Sequence, residues 1–242
     1  MGVLIGQLTF KPKELSVEAS YRPSNLNFED GKKVETTLLA VDSEGRGVAP
    51  SLITEVRPGS GQVLVNINQV LAEIDAQYSA RVAKQVVENI SGLSLENVDV
   101  SFNIITNANF IGGQSAGGAM TLSLLSLILD KEINRSVLVT GSVDGNGSII
   151  GAGEIVKKAG AAKKAGATIL LVPPGASSEL STYEKVRKCG DIDFGIFIND
   201  KYEGKEYCET RYEEKKINIG EEMGLDVIEV SSIKEAMEYY FV

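Results

Sequence analysis

Apolar residues at Ile74, Tyr78, Val82, Val86 and Ile90 recur every fourth position and predict an amphipathic helix over 74–91. Ahead of it, "VETTLLAVD" (34–42), "APSLITEVRP" (49–58) and "GQVLVNIN" (61–68) read as strands divided by Gly and Pro turns. "VDVSFNIIT" (98–106) alternates as a strand does, and a densely apolar helix runs from Ser115 to Leu129. Two β-rich runs then flank Asp144-Gly145-Asn146-Gly147, the chemistry of a tight hairpin. "GEIVKKAGAAKKAG" (153–166) predicts a helix ending at Gly166, and "ATILLVPPG" a buried strand stopped by Pro173-Pro174. The tail predicts a strand near 192–198, a helix near 205–222, a strand over 225–230 and a last helix from Ser231. Ser232 and Glu235 stand there at capping-box spacing. Early hairpins followed by strand–helix units predict an α+β (mixed α/β) domain over residues 31–242, preceded by a turn-rich arm over 1–30.

Charge and composition narrow the chemistry. The chain has 242 residues, 43% of them hydrophobic, enough for a substantial core. Its net charge of −9 removes the electrostatic attraction on which nucleic-acid binding rests. No G-x-x-x-x-G-K-[ST] phosphate loop is present, so no nucleotide partner is expected. The uncharged interval between Asp99 and Asp130 contains Asn103, Asn107, Asn109, Gln114 and two glycine pairs. Its dense part, Ala119 to Leu129, falls short of the ~20 residues a membrane span needs. No basic-led signal segment opens the sequence, so membrane association is expected only through segments flanking it. There are two cysteines, Cys189 and Cys208, and no histidine. A structural zinc site needs about four Cys or His ligands, so no metal or cofactor is expected. The two cysteines either bridge or stay free.

Without histidine, a nucleophilic serine must use a lysine or a carboxylate as its base. An ordinary lysine is protonated at neutral pH and is useful only if burial lowers its pKa. Ser115 sits in "FIGGQSAGGAM", where glycines leave room for a substrate backbone and the helix start favours an oxyanion. A serine there is equally a favoured helix cap. The segment "GSIIGAGEIVKKAGAAKKAG" offers Lys157, Lys158, Lys163 and Lys164 on one helix, most of which are expected to be solvated. Read as a dinucleotide turn, Gly151-x-Gly153 lacks its third glycine, since residue 156 is valine. The Ser231-Ser232-Ile233-Lys234 sequence is a cap rather than a Ser-x-x-Lys site.

Together the two segments resemble the proteolytic domain of the Lon protease family. Gly113-Gln114-Ser115-Ala116-Gly117 stands for its P-x-S-A-G-like motif, and Val139-Thr140-Gly141 for its M-T-G strand end. Ile150-Gly151-Ala152-Gly153, Lys158 and Ala161-Ala162-Lys163-Lys164-Ala165-Gly166 stand for its glycine turn and base-bearing helix. The serine and lysine lie 43 residues apart, and the landmarks between them align without a gap. The likeness is clearest over residues 34–175 and is nearest to archaeal Lon-like serine proteases that lack the ATPase domain. The sequence departs from the pattern at Gly112 and Gln114, where many relatives carry an acid, at Gly151 in place of proline, and at Glu154 in place of glycine.

The resemblance implies roles. Ser115 is the nucleophile, Lys158 the base, and the Thr140 hydroxyl holds Nζ. The Ser115 amide serves the oxyanion, and substrate lies extended along Phe110, Ile111, Gly112, Gly113 and Gln114 by strand addition. It further implies an ATP-independent endopeptidase of unfolded or flexible polypeptides, a ring of six subunits, and an extracytoplasmic or membrane-associated setting. The alternative is a non-catalytic peptide-binding module, to which the altered residues near the serine give weight.

Overall fold

A computed structural model describes residues 31–66, 71–72, 74–106, 110–111, 114–186 and 210–242. The expected arm over 1–30, the strand near 192–198 and both cysteines lie outside the described residues.

The first sheet comes from the N-terminal half. Its strands are β1 (Lys32–Thr37), β4 (Ser51–Pro58), β5 (Val63–Asn66) and β7 (Val98–Ile105), in the order β1-β4-β7-β5. The β1–β4 and β4–β7 pairs are antiparallel, and β5 runs parallel to β7. The predicted strand over 34–42 is broken at buried Leu38 and Leu39, after which β2 (Ala40–Val41) pairs with β3 (Gly47–Val48) in a short hairpin. Alternation turns Leu52, Thr54 and Val56 of β4, with Val100, Phe102 and Ile104 of β7, into the core.

Helix α1 (Ile74–Ser91) has the predicted boundaries, but its buried stripe is shifted. Ala76, Ala80, Ala83 and Val87 are buried with Val82 and Val86, whereas Ile74 and Tyr78 are exposed. A strict four-residue spacing advances 400° per step rather than a full turn, so the stripe drifts round the helix. Short strands β6 (Leu71–Ala72) and β8 (Phe110–Ile111) pair in parallel on either side of α1 in sequence.

Helix α2 (Gly117–Leu129) is the centre of the molecule, with twelve of its thirteen residues buried. Its hydroxyls are satisfied inside the core: Ser123 Oγ meets Thr54 Oγ1 at 2.7 Å, and Thr121 Oγ1 donates to the Gly117 carbonyl at 2.7 Å. Gly117 and Gly118 let its first turn approach neighbouring strands. A Cβ on Gly117 would lie 3.1 Å from the Val143 amide, and one on Gly118 3.1 Å from Val139 Cγ2.

Strands β9 (Val137–Val139), β10 (Ser142–Val143) and β11 (Ile149–Gly151) follow, with β10 and β11 forming the predicted hairpin. Asp144 Oδ1 closes its turn by accepting from the Asn146 and Ser148 amides, each at 2.9 Å. Helix α3 (Ile155–Lys164) then crosses to β12 (Ile169–Val172). A parallel sheet in the order β15-β12-β9 is completed by β15 (Asp226–Glu229). Successive residues of β9 and β12 face opposite layers. Val137, Val139 and Leu171 join the core around α2, while Leu138, Leu170 and Val172 join a second cluster under α3.

The tail departs from expectation. Residues 210–218, within the predicted helix near 205–222, form strand β14 (Thr210–Asn218), and only α4 (Ile219–Met223) is helical. Strand β14 pairs antiparallel over nine positions with β13 (Ser178–Val186), a strand the hydropathy pattern did not reveal. The Glu- and Lys-rich composition of "TRYEEKKIN" favours a helix only weakly, and continuous cross-strand pairing overrides it. Asn218 Oδ1 accepts from the Gly220 amide at 3.0 Å and from the Glu221 amide, which starts α4. Helix α5 (Ile233–Tyr240) begins as predicted, with Ser232 Oγ accepting from the Glu235 amide. The Glu235 carboxylate reaches back to the Ser231 amide at 2.8 Å. Among the described residues no helix is long and apolar enough to cross a membrane.

Candidate active site

The segment before α2 decides what Ser115 does. Gln114–Ala116 form one 3-10 turn, and the α-helix starts only at Gly117, with Ala116 at its N-cap and no side-chain cap. The helix predicted to open at Ser115 therefore begins two residues later. The serine hydroxyl is not used as a cap. Instead it lies 2.6 Å from Lys158 Nζ, which donates to Oγ.

Backbone contacts hold the serine in place. The Gly141 amide donates to the Ser115 carbonyl at 2.9 Å, and the Gly118 amide donates to the Gly141 carbonyl at 3.0 Å. Gly141, just past the end of β9, thus clamps both sides of the serine turn. A Cβ at Gly141 would fall 2.6 Å from Ile149 Cγ2, so this clamp requires glycine.

Lys158 comes from α3. Of the four lysines on that helix, Lys157, Lys163 and Lys164 are exposed, while Lys158 is 5% exposed. Its position on α3 puts it on the buried face that also carries Ile155, Ala159 and Ala162. Burial disfavours the ammonium and brings the pKa from 10.5 to about 8, while the Glu154 carboxylate acts in the opposite sense. An amine that gives up its proton near pH 8 and lies 2.6 Å from a hydroxyl has the placement a general base requires.

The first turn of α3 is held from outside the helix. Glu154, at its N-cap, has φ 57° and caps nothing with its side chain. Glu179 Oε2 of β13 accepts from the Val156 amide at 3.4 Å instead. The β2–β3 hairpin lies on the same helix, where a Cβ at Gly47 would sit 2.0 Å from the Lys157 carbonyl oxygen.

The structure places the remaining candidates differently. The Thr140 side chain is fully buried, and its Oγ1 has no hydrogen-bond partner. Phe110 and Ile111 form β8, one edge of which is occupied by β6. Gly112 and Gly113 lie outside the described residues. Gln114 is exposed, and its Nε2 donates to Asp75 Oδ1 at 3.2 Å, while its carbonyl accepts from Ser79 Oγ at 3.2 Å. Asp75 and Ser79 are four apart on α1 and so share one helix face. That spacing was visible in the sequence, but its target was not. A Cβ added at Gly151 or Gly153 would meet nothing within 4 Å beyond their chain neighbours. Gly151 ends a hairpin strand rather than the parallel strand of a dinucleotide turn, and Gly153 follows it.

Ser115 and Lys158 open into a cleft of about 400 Å³ bordered by Val41, Gln114, Ser142 and the 151–154 turn. Val41, Ser142 and Glu179 were not legible as site residues, because each arrives from a distant stretch of chain. The geometry supplies a hydroxyl nucleophile, an adjacent amine of lowered pKa and an open approach, which suits acyl transfer. A family model described as the Lon protease (S16) C-terminal proteolytic domain matches residues 14–193. A search of curated proteins found no match.

Proposed function

Because this chain belongs to the family of Lon protease (S16) C-terminal proteolytic domains, a family of serine peptidases, we propose that it is an ATP-independent serine endopeptidase with a Ser115–Lys158 dyad acting on unfolded or flexible polypeptides. The observation that carries this reading is the 2.6 Å contact between Ser115 Oγ and a buried lysine.

Neutral Lys158 takes the Ser115 proton as Oγ attacks the scissile carbonyl. The resulting ammonium then protonates the leaving amine, which departs to give an acyl-enzyme. Water, deprotonated by the same amine, cleaves the ester and restores the hydroxyl. The Ser115 amide meets the tetrahedral oxyanion. The Thr140 hydroxyl, buried without a partner, holds the amine as it changes charge. Substrate extends along Phe110 to Gln114 by strand addition. Assembly into a homo-oligomeric ring of six belongs to the same proposal and is checked by sedimentation.

The test is hydrolysis of an unfolded protein, without ATP, by wild type, Ser115→Ala and Lys158→Ala at matched folding. Hydrolysis by the wild type only is expected. Activity retained in both variants would mean a contaminant or a different site, and a fully assembled wild type that is inert would leave a non-catalytic peptide-binding module as the better reading.

A further inference from the structure

Glu154 is an unexpected residue for its place. Among the described residues only Asp130 and Glu154 combine a side chain with a left-handed φ. Asp130 has a local reason, since it ends α2 in the conformation common at helix C-termini and its amide bonds to the Ser126 carbonyl. Glu154 has none of that kind. It stands at the start of a helix that it does not cap, beside Gly151 and Gly153, where glycine would adopt φ 57° without penalty. A disfavoured backbone conformation kept at the rim of a reactive cleft points to a use for the side chain.

The cleft supplies that use. Two charged side chains border it, Lys158 and Glu154. Lys158 is buried and committed to Ser115, whereas Glu154 is about half exposed. Its carboxylate meets Lys157 Nζ at 2.8 Å, but that pair is exposed on both sides and therefore weak. A carboxylate accepts about four hydrogen bonds, which leaves room for a second cation. The chain's net charge of −9 draws cationic segments toward the molecule over longer distances.

We infer that Glu154 makes the cleft select a cationic side chain beside the scissile bond, so that the preferred substrates are lysine- and arginine-rich unfolded polypeptides. This rests on the Ser-Lys peptidase reading above. An acidic side chain at the same position meets the Glu154 carboxylate and is rejected.

A mixture of unstructured peptides, digested in low salt and sequenced by mass spectrometry, measures the preference. Wild type is expected to cut bonds flanked by Lys or Arg about three- to tenfold faster than the same bonds flanked by Gln, in keeping with a partly exposed ion pair. Glu154→Gly, which suits the local φ, is expected to bring that ratio to about one. Glu154→Lys is expected to turn the preference toward Asp and Glu, and Lys157→Ala, which removes the competing ammonium, to enlarge it. Equal cutting of cationic and neutral bonds by wild type, or a preference that survives Glu154→Gly, would overturn the assignment while leaving the peptidase intact. Absence of any Ser115-dependent cleavage would overturn the peptidase reading and this inference with it.

Discussion

Replacing Lys158 by Met tests the cost of keeping an amine in the core. Met has a similar length and no charge, so it fills the same space. Folding lowers the lysine pKa from 10.5 to about 8, chiefly through burial. At 1.36 kcal/mol per unit, an unfolded chain that holds its proton more tightly costs the native state about 3 kcal/mol at pH 7. The variant also loses the hydrogen bond to Ser115, worth about 1 kcal/mol. The net expectation is a gain of about 2 kcal/mol at pH 7, or roughly 4–8 °C in Tm for a chain of this size, together with complete loss of hydrolysis.

The sign with pH follows from linkage. Between pH 8 and 10.5 the unfolded lysine still binds a proton and the folded one does not, so wild-type stability rises with pH. The penalty is therefore full below pH 8 and gone above 10.5. Urea unfolding of both proteins at pH 7, 8, 9 and 10 should show the advantage of Lys158→Met shrinking across that window. A variant less stable than wild type at pH 7, or a constant difference at every pH, would refute the claim that a desolvated lysine is stored here at the expense of stability.

Three other outcomes are expected. The rate kcat/KM should rise with pH and level off near 8, and Glu154→Gly should move that limb to lower pH, because the carboxylate that favours the Lys158 ammonium is removed. A shift to higher pH would contradict the coupling. Thr140→Val should leave stability unchanged or raise it by about 1 kcal/mol, since the hydroxyl is buried without a partner, while kcat falls; a large loss of stability would show that the hydroxyl is already bonded. Gly47→Ala should destabilise by about 1–3 kcal/mol through overpacking, because its Cβ meets the Lys157 carbonyl oxygen at 2.0 Å; chemical denaturation that finds no change would mean that the β2–β3 hairpin is free to move off α3.

The elements around the site were legible where a regular period met a strong stop. Helix α1, the hairpin at Asp144 and the start of α5 at Ser232 all follow from spacing and cap chemistry within a few residues. The tail was not, because the identity of β14 depends on its pairing with β13, and no local pattern records which strand lies alongside. The drift of the buried stripe on α1 follows from the helical period, and packing against α2 fixes which face is covered.

The sequence by itself determined the reagents. With no histidine, a glycine-flanked serine and a lysine-bearing helix, a serine nucleophile had to be paired with lysine or a carboxylate. It could not decide whether the Ser115 hydroxyl caps the helix or meets a lysine, nor show which of four lysines was buried. Those answers came from the clamp of Gly141 on the serine turn and from the side of α3 that faces the parallel sheet. Proximity and desolvation arise only when distant segments pack together, and the lowered pKa of Lys158 is a property of that packing.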